Sequence, residues 1–431
     1  VQRNLQHFRW RYADMLNAPR WGNSPASRLG AARRWLRREH RLARCAIKAS
    51  PTRDCLAYVA HKRYPHAQRW RRRPRVLLVS PFAILPPAHG GARRMVELAR
   101  ATADRVDWVL LHDEAGAQPQ PASTDDRLFR EIHPVGGRPD RGADWETRWQ
   151  DHAHPPMRAE LSRLIARVRP DAVCFEHLEC IGLIEALAAP VPLFWTLHDA
   201  GRELPAGAAE RVRAMLGRVD TLLVTTASDL DYWPHSRQRL IENGVRLTGP
   251  TGRVGRSQVL LMVAPLRYEP NRAGLKSFLD QAWPLLQLRH PELLLRVLGG
   301  DAPAFTRDFS PLPAGVELVD RFVDPTPHYA ESLMALNAQG AIEGSALKIA
   351  EALAHGRIII STISGARGYE RLDSPALLRV PTVADMVPAI ESMLIDPVAR
   401  TMAENRARSD VEPWSWQCRG DTLVELITER L

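Results

Sequence analysis

The sequence Glu343-Gly-Ser-Ala-Leu-Lys-Ile-Ala-Glu351-Ala-Leu-Ala-His-Gly356, followed directly by Arg-Ile-Ile-Ile-Ser-Thr362, decides the fold of this chain. The Gly-Ser pair after Glu343 is typical of a helix start, and Gly356 is typical of a helix end. The apolar run that follows Gly356 predicts a short buried strand. A loop, a helix and a buried strand in this order form the repeating unit of an open α/β sheet.

The loop before this helix combines a carboxylate with an anion-binding backbone. The first N–H groups of a helix have no partner within it and carry the positive end of the helix dipole, so they favour a phosphate. Glu351 lies eight residues after Glu343, and its two oxygens suit paired ribose hydroxyls. A structural interpretation is also open, in which one glutamate caps the helix and the other lies on its solvated face.

The spacing of the two glutamates resembles the signature of the large retaining glycosyltransferase family with the GT-B fold, known as group 1 or family 4. That family transfers a sugar from a nucleotide donor. The resemblance implies that Glu343 faces the donor sugar and that Glu351 binds the ribose. By the same resemblance the amides of Ser345, Ala346 and Leu347 hold the diphosphate. Gly344 is a further candidate for donor binding, and Lys348, one helical turn inside the loop, is a candidate phosphate partner.

Three further motifs occur in the order that the family has. Val76-Leu-Leu-Val-Ser-Pro-Phe followed by His89-Gly-Gly-Ala-Arg-Arg resembles its opening strand and glycine loop. Leu240-Ile-Glu-Asn-Gly-Val245 resembles the segment before its second domain. Pro413-Trp-Ser-Trp-Gln resembles its aromatic-Ser-Trp turn, after which a last helix crosses back to the first domain.

Two series of apolar strands alternate with helical patterns along the chain. The first series is 76–80, 106–111, 172–175, 191–196 and 221–225. The second series is 259–263, 294–298, 316–319, 335–341, 358–361 and 377–380. This alternation predicts mostly parallel sheets covered on both faces. The predicted fold class is therefore α/β, with two doubly wound, Rossmann-like domains that face a central cleft as in GT-B.

Composition suggests where the domains begin and end, and the resemblance implies their roles and the helix that crosses back. Residues 1–73 are predicted to be a basic helical extension, 74–245 the acceptor domain and 246–412 the nucleotide-sugar donor domain, with 413–431 as the helix that crosses back. The segment 243–257 is rich in glycine and is the predicted interdomain hinge. Residues 114–156, rich in Pro, Gly and Asp, are expected to be loops around the acceptor.

Charge is distributed unevenly over the 431 residues, whose net charge is +10. Residues 1–73 contain 19 Lys and Arg against three acidic residues, whereas the rest contains 40 basic and 46 acidic residues. A basic arm on a mildly acidic body argues against a general nucleic-acid binder. Two interpretations of the arm are open: residues 30–73 contact an anionic membrane surface, or the arm packs on the catalytic body with its arginines solvated.

The sequence contains no apolar run of the roughly 18 residues that a membrane-spanning helix needs, and no apolar segment of the signal-peptide kind. Its five cysteines are scattered, which is typical of reduced thiols. We therefore expect a cytoplasmic protein, peripheral on the inner face of the membrane if the arm binds lipid.

The first domain offers two candidate positions. Gly90 and Gly91 follow the first strand, where paired glycines let the backbone approach a phosphate or a sugar closely; an ordinary strand-to-helix turn is the structural alternative. His198 follows the strand at 191–196. The resemblance implies that this histidine contacts the donor sugar near the reacting carbon, so His198 and Glu343 are the predicted catalytic residues.

The second domain opens with Val263-Ala-Pro-Leu-Arg267-Tyr-Glu-Pro-Asn-Arg272, where many family members have Gly-Arg and then Lys-Gly. Pro265 stands in place of that arginine. Arg267 and Arg272 are the predicted replacements, because a departing nucleoside diphosphate needs its growing negative charge offset by fixed donors.

Two motifs superficially suggest metal. Cys174-Phe-Glu-His177-Leu-Glu-Cys180 lacks the second Cys or His pair of a zinc site. Asp229-Leu-Asp231 is explained as the acidic first turn of a helix capped by Ser228. No metal site is predicted.

The predicted function is metal-independent sugar transfer, with retention of configuration, to a glycan or lipid-linked acceptor. No cofactor is expected beyond the nucleotide-diphosphate sugar, and no nucleic-acid partner. Two alternatives stay open: an epimerase-type GT-B enzyme, and a catalytically silent binding subunit, for which Pro265 is the main support. A nucleic-acid binder would depend on the basic arm alone.

Overall fold

The computed structural model describes residues 73–87, 89–113, 127–136, 144–230, 232–247, 258–266, 268–300, 311–321, 323–340 and 344–431. The predicted site residues Glu343 and Arg267 lie outside the described residues. Residues 1–72 of the predicted basic extension and 248–257 of the predicted hinge lie outside them as well.

The first domain is built on a parallel sheet. Within its described residues, seven strands form the sheet: β1 (Arg75–Ser80), β2 (Asp107–Asp113), β3 (Phe129–Val135), β4 (Ala172–Glu176), β5 (Leu193–Leu197), β6 (Thr221–Val224) and β7 (Gln238–Leu240). Their order is β3-β2-β1-β4-β5-β6-β7. The central strands are apolar on both sides because helices cover both faces.

The helices of this domain follow the strands in the usual alternation. They are α1 (Gly90–Thr102), α2 (Trp145–His152), α3 (Pro155–Val168), α4 (Ile181–Ala186) and α5 (Ala206–Leu216). Apolar side chains from opposite faces of β1 enter two separate clusters, with Leu77 in one and Leu78 in the other. The sheet therefore has a hydrophobic layer on each side.

The second domain repeats this plan. Its described residues form six parallel strands, β8 (Val259–Val263), β9 (Leu294–Leu298), β10 (Val316–Val319), β11 (Met334–Asn337), β12 (Ile359–Thr362) and β13 (Leu377–Val380), in the order β10-β9-β8-β11-β12-β13. Its helices are α6 (Glu269–Gln281), α7 (Trp283–Arg289), α8 (Thr326–Glu331), α9 (Leu347–Ala354), α10 (Met386–Ile395) and α11 (Pro397–Val411).

The last helix, α12 (Trp416–Thr428), packs on α1 of the first domain. Its residues Trp416, Leu423 and Ile427 are buried in a first-domain cluster. The segment that leads into α12 runs next to Val245, which lies where the chain leaves the first domain. Val245 N–H donates to the Trp414 carbonyl at 2.9 Å, and Trp416 N–H donates to the Val245 carbonyl at 3.1 Å.

The expectation of loops over 114–156 was wrong where β3 and α2 lie. The strand β3 is at the sheet edge, and its sequence Phe-Arg-Glu-Ile-His-Pro-Val is largely half-buried or exposed, so it lacks a continuous apolar run. The helix α2 begins at an Asp144 cap, whose side chain accepts from Thr147 N–H at 2.9 Å. The edge strand β7 was also not predicted.

Both sheets change direction at their centre. In the first sheet the order reverses between β1 and β4, and in the second between β8 and β11. Ligand crevices of open α/β sheets lie at such switch points, outside the carboxyl ends of the strands. The loops that follow these four strands are therefore the expected walls of a site. No helix in the described part of the chain is both long and apolar enough to cross a bilayer.

Candidate active site in the interdomain cleft

The glycine loop after β1 lies against the loop after β4. A Cβ on Gly91 would come within 2.9 Å of His177 Nε2, so only glycine lets α1 begin this close to the imidazole. His177 has φ of +68°, a left-handed conformation that is rare outside glycine. Backbone strain of this kind concentrates at functional sites. The first switch point thus holds His177 against the start of α1.

His198 lies directly behind His177. Their rings stack with centroids 3.6 Å apart and planes 11° apart. His198 Nε2 is 2.6 Å from Glu176 Oε2, and the other oxygen of Glu176 accepts from Thr196 Oγ1 at 3.0 Å. The strands β4 and β5 therefore supply a buried chain of four polar groups whose outermost member is His177.

Burial controls the protonation of this chain. It raises the pKa of Glu176 to about 7, although nearby Arg94 and the Thr196 hydroxyl act in the opposite direction. Burial also lowers the pKa of His177 well below its usual range, and the neighbouring His198 adds to this effect. The pKa of His198 is lowered for the same first reason, with a further contribution from Arg94. Both imidazoles are therefore neutral at neutral pH.

Arg94 connects this chain to the second domain. Its guanidinium is buried and donates to the Ile241 carbonyl at 2.6 Å and to Asn243 Oδ1 at 3.0 Å. Burial lowers the pKa of Arg94 to about 10, against an opposing effect of Glu176. Asn243 in turn donates through Nδ2 to Ser345 Oγ at 2.8 Å. The predicted phosphate loop is thus tied to the first domain.

The loop from Gly344 to Ala346 is held by close backbone contacts. Gly344 has φ of +69°, and a Cβ there would lie 2.8 Å from Asp199 Oδ1 and 3.0 Å from the His198 carbonyl. A Cβ on Gly368 would lie 2.2 Å from the Ser345 Cβ. Both glycines are therefore required for the loop to reach the end of β5.

Arg367 closes the other side of the same loop. Its guanidinium donates to the Gly344 carbonyl at 3.3 Å and to the buried carboxylate of Asp229 in the first domain. Asp229 also accepts from Arg202 Nη2 at 2.7 Å. The interpretation of Asp229 as an ordinary acidic first turn was therefore incomplete, and Ser228 does not cap a helix: the short helix Ala227–Asp229 follows Thr226.

A polar cluster lies on the other wall of the second domain, after β8 and β11. Asn271 Oδ1 accepts from Lys348 Nζ and from Gln339 Nε2, each at 2.8 Å. Arg272 Nη1 donates to the Leu266 carbonyl at 2.9 Å. Burial lowers the pKa of Lys348 to about 7, although the Glu351 carboxylate acts to raise it. The structure therefore brings Lys348 to Asn271 near the start of α6, next in sequence to Arg272.

The starts of α1 and α9 face each other across the cleft. A Cβ on Gly90 would lie 3.7 Å from Leu347 Cδ1. One turn further along both helices, Arg93 Nη1 donates to Glu351 Oε1. The N–H groups of Leu347 and Lys348, the first two of α9, have no partner within that helix, whereas Ile349 N–H donates to the Ala346 carbonyl at 3.1 Å. The helix begins at Leu347, which is later than the expected start at Gly344.

The predicted site residues in the described part of the chain fall into two groups. On one wall lie Gly90, Gly91 and His198, and on the other lie Gly344, Ser345, Ala346, Leu347, Lys348, Glu351 and Arg272. His177, Glu176 and Asn271 were not predicted as site residues. The signal available for His177 was its position directly after the strand at the switch point.

The motif Cys174–Cys180 is not arranged as a ligand set. Cys174 is buried in one apolar cluster of the first domain and Cys180 in the cluster on the other face of the sheet. Among the described side chains, no group of three His, Cys, Asp or Glu residues is placed to hold a metal ion.

Comparisons with known proteins give both a family match and a fold. Residues 257–396 match the model of glycosyl transferases group 1. This stretch covers the second domain up to the end of α10 and includes the loop before α9. No curated protein matches the sequence.

Solved structures match residues of both domains. Sucrose-phosphate synthase from Thermosynechococcus elongatus has a TM-score of 0.65 and 17% identity, over 83% of this chain and 99% of that one. A glycosyltransferase from Rickettsia africae gives 0.63 and 14%, over 83% and 98%. HepE from Anabaena in complex with UDP and glucose gives 0.63 and 12%, over 83% and 100%. The chain therefore has the GT-B fold, as the sequence predicted.

Proposed function

We propose that this protein is a glycosyltransferase that moves a sugar from a nucleoside-diphosphate sugar to a glycan or lipid-linked acceptor with retention of configuration. The proposal depends on one observation: residues of the first domain and residues of the second domain face each other in the cleft. The glycine loop and His177 on the first domain face the start of α9, with Glu351, on the second. The group 1 match of the second domain supports the choice of donor.

The donor is proposed to lie mainly on the second domain. The N–H groups of Leu347 and Lys348 at the start of α9 would receive the diphosphate, with the side chains of Lys348 and Arg272 as further donors. Glu351 would accept hydrogen bonds from the ribose hydroxyls. UDP in the HepE structure is a nucleotide of this kind. Charge on the leaving diphosphate is then offset by side chains and helix dipole, without a metal ion.

The sugar is proposed to lie between this loop and His177. Glu343 and His198 are the catalytic residues predicted from the sequence, but we assign the contact with the sugar to His177 in place of His198, because the His177 imidazole is next to Gly91 and His198 lies behind it. The neutral imidazole of His177 can donate a hydrogen bond to a sugar hydroxyl. The Glu176–His198 pair holds His177 in place rather than touching the donor.

The reaction breaks the bond between the anomeric carbon and the phosphate oxygen, and the electron pair leaves with the nucleoside diphosphate. The acceptor oxygen attacks the same face of the sugar, and its proton passes to the departing phosphate oxygen. The protein supplies orientation and fixed positive charge at the donor.

A thermal-shift screen against UDP, GDP, ADP and their common sugar conjugates, with EDTA present, tests the donor site. A nucleotide that binds only the native state raises the midpoint, by an amount set by its concentration relative to Kd. The shift should vanish in Glu351→Ala and persist in Glu331→Ala, an exposed glutamate at the end of α8. Absence of a shift near about 1 mM nucleotide would contradict the proposal.

Turnover is then measured with the nucleotide sugar that binds. Glu343→Ala and His177→Ala should each reduce transfer by at least about 100-fold, since the proposal assigns both groups to the reacting sugar. The anomeric configuration of the product, read by NMR, decides between retention and inversion. If Glu343→Ala transfers sugar at the wild-type rate, the assignment of Glu343 as a catalytic residue is wrong.

A silent binding subunit is the second candidate, and Pro265 favours it. The proline stands where many group 1 enzymes have an arginine, and its carbonyl accepts from Asn271 Nδ2 at 2.9 Å. Such a protein would bind the nucleotide sugar without transferring it. Donor binding combined with no transfer to any acceptor extract, and no hydrolysis, would favour this candidate.

A further inference from the structure

Arg93 forms an ion pair with the Glu351 carboxylate, which the proposed function assigns to the donor ribose. Its Nη1 donates to Glu351 Oε1, which joins α1 of the first domain to α9 of the second. The Arg93 side chain is 40% exposed and that of Glu351 is 18% exposed, so the pair lies at the rim of the cleft. A nucleoside that binds Glu351 must first displace Arg93.

The geometry of the two helices brings a second ligand group within reach of Arg93. A Cβ on Gly90, at the start of α1, would lie 3.7 Å from Leu347 Cδ1 at the start of α9, and Arg93 and Glu351 meet one turn further along. Both helices therefore begin on the same side of this ion pair. The positive ends of both helix dipoles face the place where the proposed function puts the diphosphate.

We propose that Arg93 exchanges partners when the donor binds, and so makes the site selective for nucleoside diphosphates over nucleosides. The ribose hydroxyls take over Glu351, and the released guanidinium binds the diphosphate. This inference rests on the proposed function for the position of the ribose.

The exchange is favourable for a diphosphate and unfavourable for a nucleoside. A partly exposed ion pair contributes little to stability, so the ribose can displace it at small cost. A guanidinium forms strong paired hydrogen bonds with phosphate oxygens, which compensate for the lost contact with Glu351. A nucleoside has no phosphate, and it leaves Arg93 without that compensation. Arg93 is thus a specificity-determining residue rather than a structural link.

Calorimetric titration of three matched pairs tests this: UDP and uridine, GDP and guanosine, ADP and adenosine. The pair whose diphosphate binds the wild-type protein is used. Arg93→Ala should weaken the diphosphate by about tenfold or more, through loss of a charged hydrogen-bond donor. The same variant should bind the nucleoside about two- to fivefold more tightly, because Glu351 is no longer contested.

Arg163→Ala is the matched control, since Arg163 forms a similar exposed ion pair with Glu160 at 2.6 Å on α3. It should change neither affinity. Arg93→Lys keeps the charge and should recover part of the diphosphate affinity.

Two outcomes overturn different claims. If Arg93→Ala weakens the nucleoside and the diphosphate by the same factor, or changes neither, Arg93 is a structural link and the exchange is refuted. If none of the three diphosphates binds the wild-type protein, the proposed function fails and the exchange fails with it.

Discussion

Replacement of Arg94 by methionine should destabilise the protein and make its stability more dependent on pH. Methionine keeps the apolar volume of the side chain but removes hydrogen bonds to the Ile241 carbonyl and to Asn243 Oδ1. A hydrogen bond from a charged donor contributes about 1.5–3 kcal/mol. Loss of one member of a buried charged network costs about 3–5 kcal/mol, which we take as the expected loss in the free energy of unfolding.

The pH dependence follows from Glu176, whose pKa is raised to about 7 by burial and acted on in the opposite direction by Arg94. A raised pKa means that the native state prefers the protonated carboxyl, so stability falls as pH rises from the ordinary value of 4.5 towards 7. Without Arg94 this pKa rises further and the decline extends above pH 7. The deficit of Arg94→Met should therefore be larger near about pH 8 than near about pH 5.5.

Thermal denaturation followed by circular dichroism measures both effects. For a chain of this size about 1 kcal/mol corresponds to roughly 2 °C, so the midpoint should fall by about 6–10 °C. Arg100→Met is the control on the same helix, because Arg100 pairs with Glu97 at 2.5 Å and its side chain is 30% exposed. That variant should lose less than about 1 kcal/mol. Equal midpoints for the two variants, or a deficit of Arg94→Met that does not grow with pH, would refute the reasoning.

Gly91→Ala should reduce sugar transfer by at least about tenfold, because the new Cβ would lie 2.9 Å from His177 Nε2 and displace the imidazole. The control is Gly207→Ala on α5, which should transfer sugar normally because a Cβ there meets nothing within 4 Å. Nucleotide binding near pH 7 should take up a proton at Lys348, because a bound phosphate raises a pKa that burial has lowered to about 7. Calorimetry in buffers of different ionisation enthalpy measures this uptake, and its persistence in Lys348→Met would show that another group is responsible.

The sequence was sufficient to predict the central strands and the order of the site loops. Strands such as β1 and β12 are buried on both faces, so each is a continuous apolar run that stands out from the helical patterns around it. The edge strand β3 is solvated on one side and carries charged residues, so its pattern does not differ from that of a loop. Sequence reasoning therefore detects buried strands better than edge strands.

The contacts that define the site were less predictable, because they join residues far apart in the chain. Arg93 and Glu351 are 258 positions apart in the sequence, and Arg367 and Asp229 are 138 positions apart. Each of these side chains alone is consistent with an exposed helix face. The positive φ of His177 also leaves no mark in the composition, since histidine seldom adopts it and nothing in the local sequence requires it.

The helix α12 has a consequence for how the chain folds during synthesis. Trp416, Leu423, Leu426 and Ile427 complete an apolar cluster whose other fully buried members precede residue 242. The ribosome must add about 170 residues between Leu247 and Trp416, which takes roughly 10–30 s at ordinary elongation rates. During that time the face of α1 that later binds α12 is uncovered. A chaperone that binds nascent chains should therefore be found on the first domain until α12 has been synthesised, and a stop codon before Trp416 should send the whole product to aggregation or degradation.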